Sequence, residues 1–419
     1  MTLKFEKLIE QVQTMTRAIA HRTEDASQRG QQALDQFLNL DDLPPIFERI
    51  DLVRQRDAGY RGAAPHQEAI HIGYPLPQIP EQAIVIATDG SQIYPNAHGT
   101  ALYYLINVAT FVYFHGVDAL PQEASDPRLF YTEKDLRERN GHGAVIKNLV
   151  VNARRDVEEL RELTTALHDN REYDVPILGI RDGRLLWWVG NDVPNGTELE
   201  GKYHGMLRKF NELAIDRTAA KLPPTAMIGY VERGDSRFVI RLLHLMNLAP
   251  EDVTRKVLET SGDYEGLTDD WLFSQVLNAG ERSAIMIQQS PQNKAYKERL
   301  GDDYEIAFFY LNVGNAMKSH IVRIELPMWV ANNPQAVSTV HSLLVDQCRK
   351  IGRYPYALTR ADELAVVQSH EKAHLENYIN TELLKNKQSV EQSPKEMGKQ
   401  HARAKRQSYD ATWKGQSIR

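Results

Sequence analysis

Apolar positions change texture along the chain. Over residues 1–60, Leu3, Phe5, Leu8, Ile9, Val12 and Met15 recur every three to four positions, and Phe37, Leu38 and Leu40 follow. That spacing predicts polar, one-faced helices. Pro44-Pro45 and the Gly- and Pro-rich stretch 59–80 predict a linker or irregular approach. From Ala83 the pattern tightens. Residues 83–87 (Ala-Ile-Val-Ile-Ala) read as a buried strand, and 101–114, rich in Tyr, Val, Ile and Phe, as a long strand or a pair. The charged stretch 133–168 contains an amphipathic helix with Leu149, Ala153, Val157, Leu160, Leu163 and Leu167 as its stripe. Short strands follow at 175–180 and 185–189, a helix at 198–220, and strands at 225–231, 284–287, 305–312 and 320–326. Helices are expected at 334–350 and 361–384. Strands that alternate with helices in places and adjoin in others predict an α/β fold with a mixed sheet flanked by helices. The expected organisation is an N-terminal helical segment and linker over 1–80, a main domain over 81–384, and a flexible tail over 385–419 with few apolar residues.

Composition narrows the class. Hydrophobic residues at 42% and charged residues at 25% describe an ordinary globular chain. The longest apolar stretch, 101–114, is too short to span a bilayer, and the N-terminus lacks the apolar core of a secretion signal. The single cysteine, Cys348, excludes an internal disulfide and a cysteine-rich zinc site; its place in the period of Val340, Leu343, Leu344 and Ile351 predicts a core residue. A cytoplasmic, non-membrane protein is the expectation. The net charge of −6 argues against coating nucleic acid through bulk electrostatics. Residues 385–419 hold nine Lys or Arg against three acids, so that tail carries +6 and the other 384 residues −12. An acidic body with a basic tail fits an enzyme built on carboxylates that grips DNA locally, and equally an acidic protein with a solvated tail.

Two apolar runs stop in the same way, at Asp89-Gly90 and at Asp182-Gly183, the only Asp-Gly pairs in the chain. Asp-Gly is a favoured turn pair, and a plain turn is the simpler reading of either one alone. Together, on separate buried strands, they place two rigid carboxylates at the rim of a sheet, each followed by a glycine that permits close approach. Oxygen ligands of this kind suit Mn2+ or Mg2+, the usual ions of phosphoryl transfer. The preceding helix offers Glu158, Glu159 and Glu162; Glu159 borders the apolar stripe, whereas Glu158 points further toward solvent. His370-Glu371-Lys372-Ala373-His374 has the spacing of a zinc-protease helix, but its surroundings are polar and no third ligand is apparent. Phosphate-binding loops, nucleophile elbows and dinucleotide fingerprints are missing. Trp187-Trp188 is expected to pack in the sheet.

Taken in order, these segments resemble the NurA nuclease family over about Ile84 to Gln368. The matching pieces are Asp89-Gly-Ser, the helix ending at Glu159, Asp182-Gly, residues 228–233, 280–283, 321–327, and Tyr354-Pro through Asp362. The resemblance implies an RNase H-like mixed sheet, a homodimer, and Mn2+-dependent cutting of DNA as a 5′-to-3′ exonuclease and single-strand endonuclease beside a HerA-type hexameric ATPase. It also implies a role in DNA end processing, repair or phage defence. It places metal ligands on Asp89, Glu159 and Asp182, with Glu158 one register away. The family often ends its Tyr-Pro motif with a histidine where this chain has Asp362, which can bind a hard cation but cannot act as a cationic acid. Tyr354 matches the motif and is expected to touch substrate or a ligand, or to pack.

The expected chemistry is therefore hydrolysis of single-stranded DNA and duplex ends at Asp89, Glu159, Asp182 and Asp362, assisted by Tyr354. Arg233, Arg282 and Arg323 are the expected phosphate contacts. The rival readings are a catalytically inactive scaffold or sensor of the ATPase, and an RNase H-like nuclease that prefers RNA or guided targets.

Overall fold

The computed structural model describes residues 4–138, 143–190, 193–232 and 235–388, and excludes the side chains of residues 20–27. Arg233 and all but the first four residues of the expected basic tail lie outside the described residues. The strands are β1 (Gly62–Pro65), β2 (Ala83–Ile93), β3 (Tyr104–His115), β4 (Gln122–Phe130), β5 (Ile177–Asp182), β6 (Thr225–Val231), β7 (Met286–Gln289), β8 (Ile306–Asn312) and β9 (Ile321–Pro327). They form one sheet in the order β1-β7-β8-β9-β6-β5-β2-β3-β4. β2, β5 and β6 are mutually parallel, and the remaining neighbours pair antiparallel. The stretch β4-β3-β2-β5-β6, an antiparallel meander followed by two parallel strands, is the RNase H-like core that was expected.

Helices of at least eight residues are α1 (Ile9–Leu38), α2 (Leu43–Arg56), α3 (Asn148–Asp169), α4 (Gly196–Ala219), α5 (Phe238–Asn247), α6 (Asp269–Val276), α7 (Pro291–Leu300), α8 (Pro334–Ile351), α9 (Tyr356–Ala365) and α10 (Ser369–Lys385). Because side chains alternate along a strand, β2 divides its apolar residues between two faces. Ala83, Val85 and Ala87 meet α8 and α9, while Ile84 and Ile86 meet α3 and α4. Further along, α1, α2, α5 and α6 cover β7–β9 through Phe37, Ile46, Ile50, Leu243, Phe273, Phe308 and Tyr310. Cys348 is buried in the α8 layer, as its period indicated. Among the described residues no helix is long and apolar enough to cross a membrane.

Several local readings need correction. Pro44-Pro45 opens helix α2, where the missing N–H groups cost nothing, and residues 62–65 of the supposed linker add an edge strand. Strand β2 does not stop at Asp89 but continues to Ile93 against β3. Residues 185–189 are not a strand: the Leu185 and Leu186 amides donate to Glu325 Oε2 (2.8 and 3.2 Å), and the Trp187 amide donates to the Tyr296 hydroxyl (3.0 Å). With those donors spent on side chains, no ladder forms. Leu149 is half-exposed and off the stripe. Trp187 is buried but stacks on Tyr203 of α4, and Trp188 is 58% exposed, so neither packs in the sheet. The single helix expected over 361–384 breaks at Ala365, whose carbonyl accepts hydrogen bonds from Asn107 Nδ2 (2.8 Å) and Ser91 Oγ (2.5 Å). Residues 238–276 carry helices that the apolar pattern did not announce, and β4 is a polar, exposed edge strand.

Glu325 is fully buried, holds Arg323 at 2.7 Å, and anchors the turn after Asp182 through the Leu185 and Leu186 amides. Replacing it strands a buried guanidinium and two amide donors. We expect Glu325→Ala to lower unfolding stability by about 3–5 kcal/mol, read as a lower denaturant midpoint.

Candidate active site

Three parallel strands deliver a carboxylate each to the same face. Asp89 lies on β2 with the parity of Val85 and Ala87, Asp182 is the last residue of β5, and Glu232 follows β6. All three line one depression of about 340 Å3, together with Tyr354, Leu358, Thr359 and Asp362. Glu232 was not singled out from sequence. The signal was present: it ends an apolar strand as the two aspartates do, but without a glycine after it.

The opposite wall is set by α9 and the turn before it. Ala357, Leu358, Ala361 and Ala365 are buried, which seats the helix on β2 and β3 and leaves Asp362 at the rim. The Tyr230 hydroxyl donates to the Arg353 carbonyl (3.1 Å), and the Tyr230 and Tyr354 rings meet edge-to-face at 5.3 Å. So held, Tyr354 donates its hydroxyl hydrogen to the Asp182 carboxylate. Asp362 meets Asp89 within hydrogen-bonding reach, a carboxyl–carboxyl contact that needs a shared proton or a cation to be stable.

The electrostatics follow from this crowding. Burial pushes the Asp89 carboxyl up to about 6, with Asp362 and the charge of Asp182 adding to the effect and the Gly90 amide opposing it. Burial likewise raises Asp182, against the Tyr354 hydrogen bond and Arg181. Tyr354 is raised by burial and by its aspartate partner.

Glu159 occupies a different position. It is 5% exposed on α3, behind β2, with Oε1 3.0 Å from Arg155 Nε and Oε2 3.9 Å from Arg181. The Thr88 hydroxyl donates to its carbonyl. Gly90 makes room for it: a Cβ there would lie 2.6 Å from Glu159 Oε1. Burial pushes the Glu159 carboxyl up to about 8, against the pull of Arg181 and Arg155, and Asp89 adds to the rise. Glu158 instead joins a surface network with Arg128 (3.1 Å) and Arg161 (2.6 Å). The structure thus gathers Asp89, Asp182, Tyr354 and Asp362 around one depression and sets Glu159 across the strand from it. Among the described residues no three His, Cys, Asp or Glu side chains converge closely enough to enclose an ion as they stand.

The expected phosphate contacts do not face the depression. Arg282 makes a two-pronged pair with Glu68 (2.7 and 2.8 Å), and Arg323 is buried against Glu325 and the Ser236 hydroxyl. Both guanidinium groups are consumed inside the fold, which charge alone could not reveal. The His370-to-His374 motif also resolves into ordinary helix chemistry. Both histidines are exposed, and Glu371 accepts from the Gln368 amide (2.8 Å) in a capping box at the start of α10.

No curated protein sequence matches the chain. Among solved structures it is similar to the NurA nuclease from Sulfolobus solfataricus, at 12% identity and a TM-score of 0.45, over 91% of this chain and 97% of that one. It is also similar to the catalytic domain of human Endonuclease V, at 12% identity and a TM-score of 0.31, over 80% and 95%. A third likeness is to Drosophila Piwi, at 11% identity and a TM-score of 0.27, over 67% and 29%. These are remote likenesses. The sequence profile of the NurA domain matches residues 83–367, most of the chain and all of the residues that line the depression, and the chain belongs to that family.

Proposed function

We propose that this chain is a divalent-metal-dependent nuclease that hydrolyses DNA. The observation that carries the reading is the single depression lined by Asp89, Asp182, Glu232 and Asp362, with no Lys or Arg among its lining residues. Asp89 and Asp182 hold their protons more tightly here than free carboxyls do, and a cation among the four acids would relieve the crowding. The donor set is all oxygen, which fits Mn2+ or Mg2+ and not a soft metal.

In this reading Asp89 and Asp182 would hold the cation, with Asp362 and Glu232 completing the acidic rim, and Glu159 would act from behind β2 through its charge on Asp89 rather than as a ligand. Such an ion, when bound, supplies an activated water and offsets charge building on the phosphodiester. Tyr354 fixes the orientation of the Asp182 carboxylate through its hydroxyl. Asp362 faces Asp89 from helix α9 across the depression. NurA family membership adds a HerA-type ATPase partner, a homodimer, and 5′-to-3′ exonuclease and single-strand endonuclease activities as expectations for this chain. An inactive scaffold and an RNA-directed nuclease are the outcomes that would replace this reading.

Incubation of labelled single-stranded DNA with the protein and Mn2+ is expected to give cutting that EDTA and Asp89→Asn each abolish. An RNA strand of the same sequence should survive. Absence of cutting with Mn2+ bound, and with the cognate ATPase added, would favour the scaffold.

Tyr354→Phe, which keeps the ring and removes the donor, is expected to cost about 10–100-fold in cation affinity or activity. Titration of Mn2+ by calorimetry checks the first and the cutting rate the second.

The pH dependence has a definite sign. Asp89 and Glu159 have folded-state pKa values of about 6 and about 8, above the unfolded values of 3.8 and 4.5. The cation-free fold therefore binds protons more tightly than the unfolded chain, and these groups make it less stable as pH rises from about 4 to about 8. A divalent ion held at Asp89 would oppose the Asp89 part of that slope. Melting in EDTA should fall between pH 5 and 8 and recover with Mn2+. In Asp89→Asn the fall should shrink and the Mn2+ recovery should vanish.

A further inference from the structure

Asp182 borders two cavities. One is the acidic depression; the other is a groove of about 910 Å3 on the far side of the Asp182-Gly183 turn. The groove differs in character: among the described residues five arginines, Arg61, Arg181, Arg184, Arg237 and Arg241, line it against three acids, Asp156, Asp182 and Asp235, and Trp188 stands in it. Arg61 and Arg184 are exposed, and among the described residues neither guanidinium has an ion-pair or hydrogen-bond partner. Arg241 lends Nη1 to the Arg61 carbonyl, and its buried Nε has no partner among the described residues. Arg237 keeps one arm on Glu265 (2.7 Å) with its side chain 34% exposed.

Trp188 is the second observation. Its neighbour Trp187 is tied down by stacking on Tyr203 (4.9 Å between ring centroids) and by an indole N–H donated to Asp156 (2.9 Å). Trp188 is 58% exposed and lines the groove, with its indole face open to a planar partner. The segment that carries Arg184 and Trp188 is nonetheless fixed. Glu325 holds the Leu185 and Leu186 amides, and the Tyr296 hydroxyl accepts from the Trp187 amide and donates to its carbonyl (3.0 and 2.7 Å). A rigid loop that presents an unpaired guanidinium and a bare indole beside an acidic site matches the needs of a flexible polyanion with planar bases. Arginines take the phosphates, and the indole takes a base face.

We propose that this groove is the seat of a single nucleic-acid strand as it enters or leaves the carboxylates, with phosphates on Arg184 and Arg61 and an unpaired base stacked on Trp188. The proposal rests on the nuclease reading for its substrate class and adds the path. It implies preference for unpaired over paired strands, because a base inside a duplex has no free face to offer.

The test is equilibrium binding of a fluorescein-labelled oligothymidylate of about 20 nucleotides, followed by anisotropy in EDTA so that no cutting intervenes. Trp188→Ala is expected to weaken binding about tenfold or more, the scale of one lost base stack, whereas Trp188→Phe keeps most of the affinity. Arg184→Ala should weaken binding and lower the dependence on salt between 50 and 200 mM by about one phosphate contact. Lys209→Ala, on helix α4, is the control and should bind as the parent does. For a fully paired oligonucleotide Trp188→Ala should matter much less. Equal affinity of the parent, Trp188→Ala and Arg184→Ala would overturn the proposal, as would failure of the parent to bind at 50 mM salt. A parent that binds but does not cut with Mn2+, alone or with the cognate ATPase added, would instead sink the nuclease reading and leave the groove standing.

Discussion

Much of this molecule turns on the alternation of side chains along three consecutive residues of one strand. At Asp89-Gly90-Ser91 successive positions face opposite sides of the sheet, and each side makes a different demand. Asp89 opens into the acidic depression. Gly90 faces α3 and must be bare, since any Cβ would collide with Glu159 and with Arg155 Cγ at 2.9 Å. Ser91 turns back to the first face and, with Asn107 of β3, takes the last carbonyl of α9, the helix that carries Asp362. One short peptide thus provides a carboxylate, admits a second from behind, and fastens the helix that bears a third. A shift of register by one residue would undo all three at once.

Charge is managed differently on the two faces. In front of β2, Asp89, Asp182, Glu232 and Asp362 crowd together without a basic neighbour in the lining. Behind it, Asp156 and Glu159 are matched by Arg155 and Arg181, all at least partly withdrawn from water. The rear network is balanced and structural, whereas the front one is left acidic. The sheet lies between them, so Arg181 and Arg155 act on the front carboxyls only at a distance and do not outweigh the burial that raises Asp89 and Asp182. This asymmetry is hard to justify on stability alone, because like charges gathered at a rim cost free energy that well-packed neutral residues would not.

The sequence disclosed most of the sheet because its central strands are apolar runs with a clear period. It concealed β4, which is polar and half in water, and it suggested a strand at 185–189 whose amides are in fact taken by Glu325 and Tyr296. Helix α9 looked continuous with α10 because the break depends on Ser91 and Asn107, which are distant along the chain. The same limit governs the site. Asp89 and Asp182 stood out through their glycines, while Tyr354 and Asp362 drew notice only through family resemblance. Glu232 passed unnoticed for want of a glycine. The arginines were the least legible: Arg282 and Arg323 differ from Arg184 only in having acquired Glu68 and Glu325 as partners, a fact of tertiary structure.

The fastening of α9 to β2 and β3 bears on how heritable variation would present itself in this protein. A change at Ser91 or Asn107 leaves every carboxylate in the gene, yet it loosens the end of the helix on which Asp362 rides. In a genetic screen such alleles would group with the active-site alleles by phenotype, while an inspection of acidic residues alone would pass them as wild type. The functional unit that inheritance sees is therefore larger than the set of groups that meets the substrate, and two small neutral side chains mark its edge.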